Sequence, residues 1–206
     1  MITSAYEIDM NSIDGEPGFL HQFDGKVTLV VNIVSKLGYT PQCSTFWSYA
    51  RTVRNFKQLQ VIHDEFKDRG FSVVGFPSNQ FGRMEPKENA EISDFMKHAY
   101  DFVDFPISEK IDCNGKDQHD LYGFLTGKVK RITSAPPADM SDEAIEGWNK
   151  SGGEVARIPH SWEKFVIGRA GNMVTRFNWQ ANPFDSEPLT TGEDWTIREC
   201  IDEILG

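Results

Sequence analysis

Apolar and polar positions along the chain mark two short buried strands early on, each ending in a polar turn. Val27 to Asn32 (VTLVVN) is an unbroken, mostly β-branched run between Asp24-Gly25 and Lys36-Leu37-Gly38. That pattern predicts a strand covered on both faces at the centre of a sheet. Ser72 to Phe76 repeats it and runs into Pro77-Ser78-Asn79-Gln80-Phe81-Gly82. Helical spacing follows each strand: Phe56, Leu59, Val61, Ile62 and Phe66 before Arg69-Gly70, then Ile92, Phe95 and Met96 within Lys87 to Tyr100. Further helices are predicted over Gln118 to Leu125 and, amphipathic, over Trp195 to Leu205. Alternation predicts an N-terminal hairpin from Ala5 to Phe23, an edge strand over Pro106 to Ile111, and a second hairpin pairing Ser161 to Gly168 with Asn172 to Phe177.

Two stretches stand outside this α/β rhythm. Cys43 to Arg54 carries a helical stripe of Phe46, Trp47, Tyr49 and Val53, which predicts a packed segment. From 127 to 157 the composition turns to Pro, Ser, Asp and Gly, with Pro136-Pro137 and Gly152-Gly153, so a long loop is predicted.

The chain has 206 residues, 39% of them apolar and 25% charged, which suits one globular domain over 1–206. Its net charge of −10 argues against a phosphate-binding surface, so no nucleic-acid partner is expected. No stretch approaches the roughly 18 apolar residues of a membrane span, and the N-terminus lacks the basic head and apolar run of a signal peptide. Three scattered cysteines, Cys43, Cys113 and Cys200, fit a reducing compartment better than a disulfide framework, so a cytoplasmic location is expected. No nucleotide fingerprint or zinc-ligand spacing is present, so neither a bound cofactor nor a metal is expected.

Asn32-Ile33-Val34-Ser35-Lys36-Leu37-Gly38-Tyr39-Thr40 and Phe76-Pro77-Ser78-Asn79-Gln80-Phe81-Gly82-Arg83-Met84-Glu85-Pro86 resemble the two signature turns of the glutathione peroxidase family. Asn114-Gly115 and Trp162-Glu163-Lys164-Phe165-Val166 extend the resemblance over roughly residues 4 to 205. The resemblance implies a thioredoxin-like α/β sandwich, a central mixed sheet flanked by helices and decorated by the N-terminal hairpin. It makes Cys43 to Arg54 an insertion. It also makes self-association through the 127–157 connection an expectation, because larger members carry a long connection there and form oligomers.

The reaction implied is thiol-dependent reduction of hydroperoxides in the oxidative-stress response, with glutathione or thioredoxin as reductant. Its chemistry requires a thiolate or selenolate, the species that attacks the peroxide oxygen. The position the resemblance assigns to that nucleophile is Leu37, which has no lone pair to offer. Of the groups that surround it in the family, Gln80 is kept, while His160 and Ser161 replace Trp and Asn. Ser78 stands where a cysteine is frequent, and the helix that can carry a resolving cysteine has none.

These substitutions leave weak or absent peroxidase activity as the expected outcome. Cys43 is an alternative nucleophile, six residues on and near a helix start. A non-catalytic binding or regulatory module on the same fold is the other reading. Ile158-Pro159-His160 stands where thioredoxin-like folds carry a cis-proline, which would aim His160 at the Leu37 loop.

Overall fold

The structure, a computed structural model, describes residues 2–35, 46–133, 157–184 and 196–206, apart from the side chains of 46–49 and 128–133. Five strands form one mixed sheet: β1 (Val27–Ile33), β2 (Phe71–Pro77), β3 (Val129–Thr133), β4 (Lys164–Ile167) and β5 (Val174–Phe177). Their spatial order is β2-β1-β4-β5-β3. β1 runs parallel to β2 and antiparallel to β4; β5 is antiparallel to β4 and parallel to β3. All seven residues of β1 are buried, as an uninterrupted apolar run requires of a strand with partners on both sides.

The alternation of β1 sends its side chains into two cores. Leu29, Val31 and Ile33 meet Phe56, Leu59, Ile62 and Phe66 of α1 (Phe46–Phe66), Ile92 and Met96 of α2 (Asn89–Ala99), and Ile197 and Ile201 of α4 (Ile197–Leu205). On the other face Val30 joins Val74, Phe165 and Ile167, covered by Leu121, Tyr122 and Leu125 of α3 (Asp120–Lys128) and by the N-terminal segment. This is the helix-flanked mixed sheet that the sequence leads one to expect, and the hairpin of β4 and β5 forms as predicted.

Several details differ. The N-terminal hairpin is reduced to a single antiparallel bridge between Asn11 and Pro17, and Ala5–Glu7 is a 3-10 turn instead of a strand. The reason is a capping box: Ser4 Oγ accepts from the Tyr6 N–H at 3.2 Å while the Glu7 carboxylate accepts from the N–H groups of Thr3 and Ser4. This turn packs so closely on the β4–β5 connection that a Cβ on Gly171 would fall 1.9 Å from Ser4 Oγ, and Gly171 also has a φ of +69°. Pro106 to Ile111 makes isolated bridges at Ile107 and Ser108 and no continuous strand.

Phe46 to Arg54 is not a separate element but the first turns of α1, since no Gly or Pro interrupts the 21 residues to Phe66. The predicted loop of 127–157 begins with β3, which gains its ladder from β5. Residues 134–156, and with them most of the expected association loop, lie outside the described residues, as do Leu37, Cys43 and Trp195.

Candidate functional site

β1 delivers Ser35 to the carboxyl edge of the sheet, two residues before Leu37. There Ser35 is buried and held from two sides. Glu85, itself fully buried, accepts the Ser35 backbone N–H with one carboxylate oxygen and the Ser35 hydroxyl with the other, at 3.0 Å. The Tyr100 hydroxyl donates to the Ser35 carbonyl at 2.9 Å. Glu85 is oriented in turn by its own N–H, which donates to Asn79 Oδ1 at 3.1 Å. The serine two residues before the reactive position of the first signature turn is therefore fixed by the acidic residue of the second.

Gln80 is exposed, and its amide group is paired with the Asn114 backbone: Nε2 donates to the carbonyl and Oε1 accepts the N–H, both at 2.8 Å. The Asn114 side chain repeats the arrangement on Ile158, donating to its carbonyl at 3.0 Å and accepting its N–H at 2.7 Å. Asn32 closes the frame from β1: its Nδ2 donates to the His160 carbonyl at 2.8 Å, and its own carbonyl accepts the Trp162 N–H at 2.7 Å. Three segments remote in sequence, 32–35, 78–85 and 158–164, thus meet at one sheet edge, with Asn114 as the joint between two of them.

His160 and Ser161 occupy this edge on unequal terms. Ser161 is buried, whereas His160 is exposed, with its ring 5.2 Å from that of Trp179, and the Arg51 guanidinium lies 5.1 Å from the same Trp179 ring. The Ile158–Pro159 bond is trans, contrary to the expectation of a cis-proline. The unusual backbone lies further along, at Trp162, whose φ of +72° is rare for a bulky residue. Its indole is buried against Phe56, and its peptide is anchored by the bond to Asn32 and by Lys164 Nζ, which donates to the Trp162 carbonyl at 2.8 Å.

Beneath the edge, Glu163 and Arg176 form a fully buried pair at 2.7 Å, and Arg176 also donates to the Arg157 carbonyl. Burial drives the Glu163 carboxyl upward from its ordinary range, with Arg176 opposing it. Both described cysteines are buried. Burial also pushes the Cys113 thiol up to about 12, although the hydroxyls of Ser78 and Tyr122 lie against it. A thiol so placed is a poor nucleophile at neutral pH. Among the described residues no group of three His, Cys, Asp or Glu side chains is arranged to hold a metal ion, and no helix is long and apolar enough to cross a membrane.

The structure therefore brings Gln80, His160 and Ser161 to the edge from which the Leu37 loop departs. Sequence reasoning missed Ser35, Glu85, Tyr100 and Asn114 as the groups that shape it. Glu85 was visible as the acidic residue before Pro86 in the second signature, and Asn114 as the residue before Gly115. Their bonds to backbone groups leave no periodic trace.

Comparison with known proteins agrees with this architecture. The model of the glutathione peroxidase family matches residues 5–126. A hydroperoxy fatty acid reductase of Synechocystis is 36% identical over 178 residues, spanning 86% of this chain and 88% of that protein. A glutathione peroxidase homologue of Staphylococcus epidermidis is 37% identical over 180 residues, spanning 87% and 92%. The crystal structure of Trgpx in apo form superimposes with a TM-score of 0.61 at 26% identity, covering 100% of this chain and 97% of that one. The chain belongs to the glutathione peroxidase family.

Proposed function

We propose that this chain is a hydroperoxide-binding member of the family whose peroxidase activity is weak or absent. The observation that carries the reading is Leu37 at the family's nucleophile position, two residues beyond the clamped Ser35. Peroxide reduction begins with a thiolate or selenolate attacking the outer oxygen and ends with thiols reducing the resulting sulfenic or selenenic acid. A leucine takes part in neither step. What supports a retained site is the frame around it: Asn32, Ser35, Gln80, Glu85 and Asn114 tie the segments at this edge together by hydrogen bonds. The reading is of a binding or regulatory protein, with glutathione or thioredoxin as reductant only where a nucleophile is supplied, and with Cys43 as the competing source of one.

The test is peroxide consumption with glutathione or a thioredoxin system, in the unchanged protein beside Leu37→Cys and Cys43→Ser. The expected result is no turnover above background in the unchanged protein and turnover in Leu37→Cys. Turnover in the unchanged protein that disappears in Cys43→Ser would overturn the reading and place the nucleophile at Cys43.

A further inference from the structure

The helix α1 has two apolar sides. Phe56, Leu59, Ile62 and Phe66 face the core, as any amphipathic helix on a sheet requires. Ala50, Val53 and Val61 recur on another side, where they line a surface groove of about 460 Å³ together with Phe184, which follows the β5 strand. Val61 and Phe184 are 49% and 44% exposed, an arrangement that water alone does not favour for large side chains lying together. Its lining runs along the helix, which advances about 16 Å from Ala50 to Val61.

Its polar content is one-sided. Arg54, Lys57 and the neutral Gln58 line it, and among the described residues no acidic side chain does. Among the described residues neither cation has an ion-pair partner, although the surface carries many carboxylates and the chain a net charge of −10. Lys57 instead lies 5.9 Å from the ring of Phe102. One turn earlier, Arg51 lies over Trp179, whose ring meets His160. An apolar trough with cations along its side and, among the described residues, no carboxylate within it complements an aliphatic chain with an anionic head.

We propose that this face of α1 binds a monomeric long-chain fatty acid, its acyl chain along Ala50, Val53, Val61 and Phe184 and its carboxylate on Arg54 and Lys57. The site goes beyond the peroxidase reading, because it needs no nucleophile and lies outside the Leu37 loop.

The experiment is equilibrium titration of the full chain with dodecanoate, below its micellar concentration, followed by displacement of a fluorescent polyene fatty acid. Dodecanol, with the same chain and no carboxylate, is run in parallel. Saturable 1:1 binding of dodecanoate is expected, at least tenfold tighter than dodecanol. Arg54→Glu combined with Lys57→Glu is expected to weaken it at least tenfold, as is Val61→Asp; all three positions are at the surface, and circular dichroism checks that the fold is retained. Equal affinity for dodecanol, or binding unchanged in these variants, would overturn the proposal. So would either of two other occupants: vesicle sedimentation with anionic phospholipid that depends on the same residues without free dodecanoate binding, or a dimer in light scattering that Val61→Asp dissolves. Turnover in the Leu37→Cys protein is read separately, so loss of the groove and loss of the catalytic reading are told apart.

Discussion

The carboxylate of Glu85 grips Ser35 through both of its oxygens, one on the backbone N–H and one on the hydroxyl, fifty residues away in sequence. The contact is fully buried and ties the loop after β1 to the turn after β2. A neutral amide in its place can accept one of these bonds but turns its NH₂ toward the other donor. Glu85→Gln is therefore expected to cost about 1–3 kcal/mol, the penalty for an unsatisfied buried donor. Urea denaturation measures it, and a cycle with Ser35→Ala is expected to give a coupling of at least about 0.5 kcal/mol.

Arg176 and Glu163 invite the opposite experiment, removal of the cation. Arg176→Met leaves a buried carboxyl without its counter-charge and is expected to cost about 3–5 kcal/mol at neutral pH. Glu163 already has its folded-state pKa raised by burial. A carboxyl raised on folding stabilises below its unfolded value and loses that contribution as pH rises through the folded one. Denaturation of Arg176→Met at several pH values should accordingly show stability falling as pH rises above the ordinary carboxyl range, more steeply than in the unchanged protein.

His63 should shape a different part of the pH profile, alongside His119, whose pKa burial also lowers. The Nδ1 of His63 accepts the Val73 N–H at 3.1 Å, which requires an unprotonated nitrogen. Burial lowers its pKa, with Asp104, 3.7 Å from Nε2, working in the other direction. A histidine lowered on folding contributes fully above its unfolded value, about 6.5, and progressively less as pH falls below it. Stability is expected to drop between about pH 6.5 and 5, and His63→Gln should flatten that slope while lowering the plateau.

Thiol labelling addresses the cysteines. With its pKa pushed to about 12, Cys113 is ionised to roughly one part in ten thousand at pH 8 and is buried besides. Iodoacetamide followed by peptide mass spectrometry should leave Cys113 and Cys200 unmodified in the native protein and modify both in urea. Native labelling at either would mean that the cores around α3 or α4 open far more readily than their packing implies.

What the sequence made legible was whatever repeats. β1 and β2 are continuous apolar runs, the buried side of α2 recurs at Ile92, Phe95 and Met96, and the β4–β5 hairpin brackets a Gly-containing turn. What it hid was set by single contacts. The 3-10 turn at Ala5–Glu7 depends on one capping box that alternation masked, though Ser4 and Glu7 stand at the spacing that announces it. β3 escaped notice because its partner strand lies in the last quarter of the chain. The site was half visible: the signature turns announced its two loops, but Glu85, Tyr100 and Asn114 act on backbone atoms of distant residues, and nothing in a linear pattern reports on that.

The order of strands bears on how this chain is made. β1 pairs on one side with β2 soon after it, but on the other its partner is β4, with Thr28 and Ile167 lying 139 residues apart. A ribosome therefore releases Val27 to Ile33 long before the strand that will cover its second edge exists. Through that interval an apolar β-branched edge stays open to pairing with other nascent chains. Any C-terminal truncation that removes β4 makes the interval permanent, and such fragments are expected to be insoluble even though every residue of the first signature turn is present.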